Sequence, residues 1–139
     1  MQGTQGFTLL ESLVTVGLAA ALAGLGLVRI PELASGLRLA GAARTLATTL
    51  RLARGRALAI GAPVEVRFDV AASAIEVVGA EPEPARRPLP GGVAFAAVPV
   101  RARIRFGGLG TAENGTVVLA AGGRRRSVVV NQRGRVRVP

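Results

Sequence analysis

The sequence predicts an α+β protein, in which a long N-terminal helix is followed by an antiparallel β-sheet. Residues 7–28 are almost entirely apolar, residues 39–60 carry apolar side chains at helical spacing, and most segments after residue 63 alternate between apolar and polar side chains. Alternation with a period of two is typical of strands that bury one face. We therefore expect one small β-rich head behind an N-terminal helical segment.

The composition excludes several kinds of site. All eighteen basic residues of the 139-residue chain are Arg, and the sequence contains no Lys, His, Cys, Tyr or Trp. Without Cys, the chain can form no disulfide, thiolate metal site or thiol nucleophile. Proton transfer would fall to seven scattered Glu residues and one Asp. We therefore expect neither enzymatic activity nor a bound metal or cofactor.

The charge is distributed unevenly along the chain. Residues 1–28 hold one acid and no base, whereas residues 29–139 hold eighteen Arg and seven acids, a net charge of +11. A basic head behind an apolar segment indicates an anionic partner, such as nucleic acid, lipid headgroups or an acidic protein surface.

The apolar segment Phe7–Val28 contains a single charged residue, Glu11. As a helix it spans about 33 Å, which is enough for a bilayer core of about 30 Å. In lipid a lone carboxylate costs about 2.5 kcal/mol or more, so Glu11 requires an explanation. A secretory signal peptide cleaved near residues 21–23 is disfavoured by the length of the run and by the uncharged leader. A plain membrane anchor leaves Glu11 unexplained.

The stretch GFTLLE, residues 6–11, resembles the processing site of the type IV pilin family, which includes the pseudopilins of type II secretion systems. The resemblance implies that residues 1–6 are a leader, that a prepilin peptidase cuts after Gly6, and that Phe7 is then N-methylated. It also implies that Glu11 pairs with the α-ammonium group of Phe7 on a neighbouring subunit, because pairing makes a buried carboxylate tolerable. The leader lacks the Lys or Arg usual in this family, so either translation starts upstream or the motif alone directs processing.

Two helical segments are expected before the head. Residues 7–30 would form the membrane-spanning and filament-core helix, and residues 31–62 an amphipathic helix that ends at Gly61 and Pro63. In the amphipathic segment, one apolar stripe recurs in steps of 7, 4, 3, 4 and 3 residues: Leu39, Leu46, Leu50, Ala53, Ala57 and Ile60. This spacing predicts a buried face, with three arginines grouped away from it: Arg44, Arg51 and Arg54.

Residues 63–139 are expected to form the β-rich head. PVEVRFDV alternates, which directs Val64, Val66, Phe68 and Val70 to one face, and SAIEVVGA completes a hairpin over residues 63–80. EPEPARRPLPGG, residues 81–92, is predicted to be a Pro-rich loop. VPVRARIRF alternates again, with four side chains expected inward: Val100, Ala102, Ile104 and Phe106.

A second hairpin is expected near the C-terminus. TVVLAA and RRRSVVV flank Gly122-Gly123, and we interpret Arg124–Arg126 as a solvated turn. NQRG then turns the chain into a terminal RVRV strand, which directs Arg135 and Arg137 to one face.

The element Gly134-Arg135-Val136-Arg137 resembles the C-terminal strand of the GspH/FimT group of minor pilins and pseudopilins. In FimT-type members this element is implicated in DNA binding during natural transformation, which makes Arg133, Gly134, Arg135 and Arg137 candidate DNA contacts. Independently, arginines at alternate strand positions lie about 6.5–7 Å apart, close to the phosphate spacing of a nucleic-acid strand. Each guanidinium can bind one phosphate through two hydrogen bonds.

Arg101, Arg103 and Arg105 extend this prediction. If their strand lies beside the terminal strand, they join Arg135 and Arg137 in one positive sheet face that binds the backbone of duplex DNA. No aromatic residues interleave with these arginines, so base stacking is not expected. The alternative is that the arginines are the solvated face of a sheet and discourage edge-to-edge aggregation.

The resemblance thus implies a minor pilin or pseudopilin, at or near the filament tip, that serves pilus biogenesis or protein secretion in a type IV pilus or type II secretion system. The alternative is a minor pilin that binds DNA without sequence preference for uptake in natural transformation. Both place the chain in the bacterial inner membrane as a single-pass protein with its head in the periplasm. The expected partners are other pilin or pseudopilin subunits, the prepilin peptidase, the inner membrane and, for the alternative, duplex DNA.

Overall fold

The computed structural model of the protein describes residues 8–27, 30–79 and 85–139. It contains two compact units, Met1–Ala34 and Ser35–Pro139, and the second unit is called the head below. The predicted α+β class is confirmed, because a helix in the head packs on antiparallel sheets.

Helix α1, Leu9–Leu27, begins at a capping threonine. The Oγ1 atom of Thr8 accepts the N–H of Glu11 at 3.3 Å, which satisfies one of the amides that a helix start leaves without a partner. Large apolar side chains of this helix are exposed, from Leu9 at 81% to Leu22 at 63%. Within the described part of the chain, no helix combines the length and apolar character that a membrane crossing requires. The predicted membrane segment covers residues 7–30, and three of these, residues 7, 28 and 29, lie outside the described residues.

Helix α2, Ile30–Ile60, contributes one face to the core of the head. The predicted stripe is buried at five positions: Leu39, Leu46, Leu50, Ala53 and Ala57. The prediction is wrong for Ile60, which is 51% exposed. Ile60 is the last helical residue, and Gly61, with a φ of 64°, turns the chain away from the buried face. Small residues at Ala42, Ala43 and Ala47 widen the buried face and let the helix approach the sheets closely.

The first sheet has four antiparallel strands in the order β3-β2-β1-β5. They are β1 Val64–Asp69, β2 Ala74–Val78, β3 Ala85–Pro88 and β5 Arg103–Phe106. The predicted hairpin of β1 and β2 is confirmed, with Val66 opposite Val77. Val70, however, is 49% exposed, because β1 ends at Asp69 and Val70 begins the turn.

Two expectations about this sheet are wrong. The predicted Pro-rich loop contains strand β3, which pairs with β2 from Ala74 opposite Pro88 to Val77 opposite Ala85. Pro88 is tolerated there because β3 is an edge strand. In the segment 98–106 the strand begins only at Arg103, since a turn with Ala102 at a φ of 47° precedes it. That turn leaves Val100 fully exposed instead of inward-facing.

The second sheet has four antiparallel strands in the order β4-β6-β7-β8. They are β4 Ala94–Ala97, β6 Gly115–Ala121, β7 Arg124–Val130 and β8 Val136–Arg137. The predicted hairpin of β6 and β7 is confirmed, and its turn residues Gly122 and Gly123 have φ values of 55° and 75°. Two consecutive positive φ values fit a two-residue turn that follows the twist of the strands. Arg124–Arg126 are the first residues of β7, so their placement in the turn is wrong.

One hydrophobic core joins α2 to the inner faces of both sheets. Its fully buried strand residues include Val66, Ile104, Phe106, Leu119 and Val128. All residues of this core lie between Leu39 and Val130, so the head contains a complete hydrophobic core of its own.

Candidate functional site

The C-terminal tail is held by the side chain and backbone of Asn131. The Oδ1 atom of Asn131 accepts the N–H groups of Arg133 at 3.1 Å and Arg135 at 2.9 Å. Its backbone carbonyl accepts the N–H of Gly134 at 2.8 Å, and its N–H donates to the carbonyl of Arg135 at 3.1 Å. An asparagine that closes a turn in this way fixes where the following strand begins.

Gly134 occupies a position that no other residue fits without strain. Its φ is 69°, and a β-carbon there would lie 2.5 Å from the carbonyl oxygen of Gly110 and 2.6 Å from Nε of Arg54. Arg54 donates from the same Nε to that carbonyl at 3.1 Å. The glycine of the Gly-Arg-x-Arg element therefore allows the tail to pack against α2 and the loop that contains Gly110.

Beyond Gly134, the tail and α2 form a cleft of about 300 Å³. Two arginines of α2 and four consecutive residues of the tail line it: Arg51, Arg54, Gly134, Arg135, Val136 and Arg137. Nη2 of Arg51 donates to the carbonyl oxygen of Val136 at 3.3 Å, which holds one guanidinium beside the tail. Among the described residues, no carboxylate lies within 4.0 Å of these four guanidinium groups. The cleft therefore has the charge and the donors to bind an anion.

The open edge of β8 faces the same cleft. Val129 pairs with Arg137 and Val130 with Val136, while Asn131 donates to the carbonyl of Arg135. In an antiparallel ladder these bonds alternate, so the N–H and carbonyl of Val136 point away from β7. Nη2 of Arg51 donates to this carbonyl, and the N–H of Val136 lies on the same edge of β8.

The exposed arginines of the tail follow the predicted alternation. Arg135 and Arg137 are exposed, whereas Val136 between them is half-buried against the core. The sequence pattern directs Arg51 and Arg54 away from the buried stripe but does not predict that they join the tail arginines. Their spacing of three residues puts them on neighbouring positions of one helix face, which is the signal that a helix contributes a pair of cations.

Arg101, Arg103 and Arg105 do not join this cluster. Their segment leads into β5 at an edge of the first sheet, whereas β8 is at an edge of the second, so the prediction of one continuous sheet face is wrong. Two of the three are also paired with acids. Nη1 of Arg103 lies 3.0 Å from Oε1 of Glu65, and Nη1 of Arg101 lies 3.9 Å from Oε1 of Glu113. These ion pairs lower the net positive charge that the surface offers to an anion.

The N-terminal motif is described only in part. Gly6 and Phe7 lie outside the described residues, whereas Glu11 is an exposed residue in the first turn of α1. Its carbonyl accepts Oγ1 of Thr15 at 2.6 Å. No basic side chain of the described residues lies within 4.0 Å of its carboxylate. Glu11 therefore has an accessible carboxylate on an otherwise apolar helix.

Comparison with known proteins adds a family and a fold. The family model of the type II transport protein GspH matches residues 42–134. The type IV minor pilin FimU of Pseudomonas aeruginosa is 17% identical, with a TM-score of 0.60 over 73% of this chain and 87% of that chain. The minor pseudopilin EpsH from the type 2 secretion system of Vibrio cholerae is 16% identical, with a TM-score of 0.59 over 73% and 96% of the two chains. No curated protein matches the sequence. The structural likeness establishes a shared fold, and the family match extends from α2 to the turn at Gly134.

Proposed function

The chain belongs to the family of the type II transport protein GspH, and from this membership we propose that it is a minor subunit at or near the tip of a type IV pilus or type II secretion pseudopilus. The assignment as a minor pilin or pseudopilin, without the position at the tip, follows from the family and the shared fold. The observation that supports a filament subunit is the row of exposed apolar side chains on α1, such as Leu10 at 72% and Val14 at 63%. An apolar surface of this kind needs lipid or other subunits to cover it.

The charge of the chain supports a subunit that is present in few copies per filament. Residues 29–139 have a net charge of +11, and a filament built from many such heads would repel itself. A few copies at the tip avoid this repulsion.

We assign the apolar segment two successive environments. Before assembly, residues 7–30 hold the subunit in the inner membrane as a single span, with the head in the periplasm, and prepilin peptidase removes residues 1–6. During assembly, the carboxylate of Glu11 pairs with the α-ammonium of Phe7 on a neighbouring subunit. This pairing sets the register between subunits, because an unpaired ammonium buried among apolar helices is costly.

Immunogold labelling of sheared filaments tests the tip position. The full chain carries a C-terminal epitope tag and is expressed in a bacterium that assembles the filament. We expect gold particles at one filament end only. Particles spaced along the whole filament would contradict the tip position, and their complete absence from filaments would contradict the subunit assignment.

A second candidate function is DNA binding by the tail, and the specific observation that favours it is the arginine cleft. Four arginines line a space of about 300 Å³, and no acidic residue is among its lining residues. A phosphodiester group fits this chemistry, since each Arg can bind a phosphate through two parallel hydrogen bonds. Binding through the backbone would be sequence-independent and weakened by salt.

A further inference from the structure

The exposed start of β7 forms a second basic surface, at the opposite end of that strand from the tail. Arg124, Arg125 and Arg126 are all exposed, and none of them forms an ion pair with a described acid. Residues 115–139 contain no acid at all. We call these three residues the hairpin arginines.

The hairpin arginines lie beside the first residues of the head. A β-carbon at Gly122 would be 2.5 Å from Oγ of Ser35, and one at Gly36 would be 2.8 Å from Nη1 of Arg124. These close approaches hold the β6–β7 turn against the first turn of α2 within the head. The hairpin arginines are therefore at the end of the head through which the chain enters from the N-terminal unit.

The connection from the apolar helix to this end is short. Helix α1 ends at Leu27 and the head begins at Ser35, so residues 28–34 alone separate them. If α1 lies in a bilayer, this length of chain keeps the entry end of the head near the lipid headgroups. Three exposed cations at this end match the negative surface potential of a membrane that contains anionic lipids.

From these observations we propose that the hairpin arginines bind the anionic headgroups of the membrane in which the unassembled subunit is stored. The contact orients the head at the bilayer surface and is released when the subunit leaves the membrane for the filament. The proposal rests on the proposed function, because it requires the apolar segment to be inserted.

Site-resolved arginine modification of the full chain in lipid nanodiscs tests this contact. One preparation contains phosphatidylcholine alone, and the other contains phosphatidylcholine with phosphatidylglycerol. Phenylglyoxal modifies accessible arginines, and peptide mass spectrometry reports the rate for each region. The wild-type chain is used throughout, so no variant has to fold. Its internal controls are Arg86 and Arg87 on β3 and the tail pair Arg135 and Arg137.

We expect phosphatidylglycerol to slow modification of the hairpin arginines by at least about threefold, with high salt abolishing the protection, because the attraction is electrostatic. The control arginines should react at the same rate in both discs. Soluble glycerophosphate added to phosphatidylcholine discs should not protect, since the contact requires a lipid surface.

Three other outcomes would contradict either the membrane anchor or the lipid contact. If the chain does not co-elute with either disc, the proposed membrane anchor is refuted, and the proposed lipid contact is refuted with it. Co-elution with equal modification rates in both discs overturns the lipid contact and leaves the anchor intact. Equal protection of the tail pair shows general adsorption of a basic protein, which also overturns the hairpin site.

Discussion

Nε of Arg54 would lie 2.6 Å from a β-carbon at Gly134, so the helix and the C-terminal tail meet at a point where only glycine fits. The same nitrogen donates to the carbonyl oxygen of Gly110 at 3.1 Å. Arg54 thus connects α2, the loop of Gly110 and the tail. The cleft that we propose as an anion site depends on this junction, because Arg51, Arg54 and Arg135 line it together.

Gly134→Ala should destabilise the head by about 2–3 kcal/mol, since alanine would adopt a positive φ and would contact the carbonyl oxygen of Gly110. Gly123→Ala is the matched control. Gly123 also has a positive φ, of 75°, but nothing lies within 4 Å of its β-carbon position. Its replacement should cost about 1–2 kcal/mol, the conformational part alone. Urea denaturation of both variants measures the difference, and equal losses would show that the packing at Gly134 contributes nothing.

The local features of this fold were predictable from the sequence. The stripe from Leu39 to Ala57 has helical spacing, and consecutive glycines at 122 and 123 fit a tight hairpin turn. The helix and the turn both depend on residues that are close in the chain, so the local sequence is enough to predict them. The glycine of the tail element was also identified, although its structural reason, the contact with Arg54, appears only in the folded head.

The features that depend on distant partners were not predictable. The composition of Ala85–Pro88 indicates a loop, but the segment forms a strand because it pairs with β2. Alternation in residues 98–106 identifies outward arginines but not the neighbouring strand, so it could not separate Arg105 from Arg137 into two sheets. Arg51 and Arg54 likewise became part of the candidate site only through the packing of the tail on α2.

Processing should release a chain that begins at Phe7. The motif places Gly6 directly before the apolar segment, so co-expression with a prepilin peptidase should remove residues 1–6 and leave an N-methylated Phe7. Intact-mass spectrometry of the purified chain measures both changes. Gly6→Leu should block the cut and serves as the control. A product cleaved near residues 21–23 would instead support a secretory signal peptide.

Glu11→Gln should leave membrane insertion intact or improve it, because it removes a charge from an apolar helix. Incorporation into filaments should fall at least about tenfold, since the ammonium of the neighbouring Phe7 loses its buried partner. Glu11→Asp keeps the charge and should retain part of the incorporation. Immunoblots of membrane and sheared-filament fractions measure the two steps separately. Normal incorporation of the glutamine variant would refute the pairing of Glu11 with Phe7.

The arginine cleft predicts the salt dependence of DNA binding by the head, residues 35–139. If four phosphates are neutralised, the log–log slope of affinity against salt should be about −3.6, with little dependence on sequence. Arg135→Gln with Arg137→Gln should flatten this slope by about two units, because each lost guanidinium removes one phosphate contact. Arg86→Gln with Arg87→Gln removes the same charge from β3, on the other sheet, and should affect the slope less. Fluorescence anisotropy with a labelled duplex measures both variants. Equal losses would mean that net charge alone governs binding, and a wild-type head that fails to bind at low salt would exclude the DNA-binding function while leaving the subunit assignment unaffected.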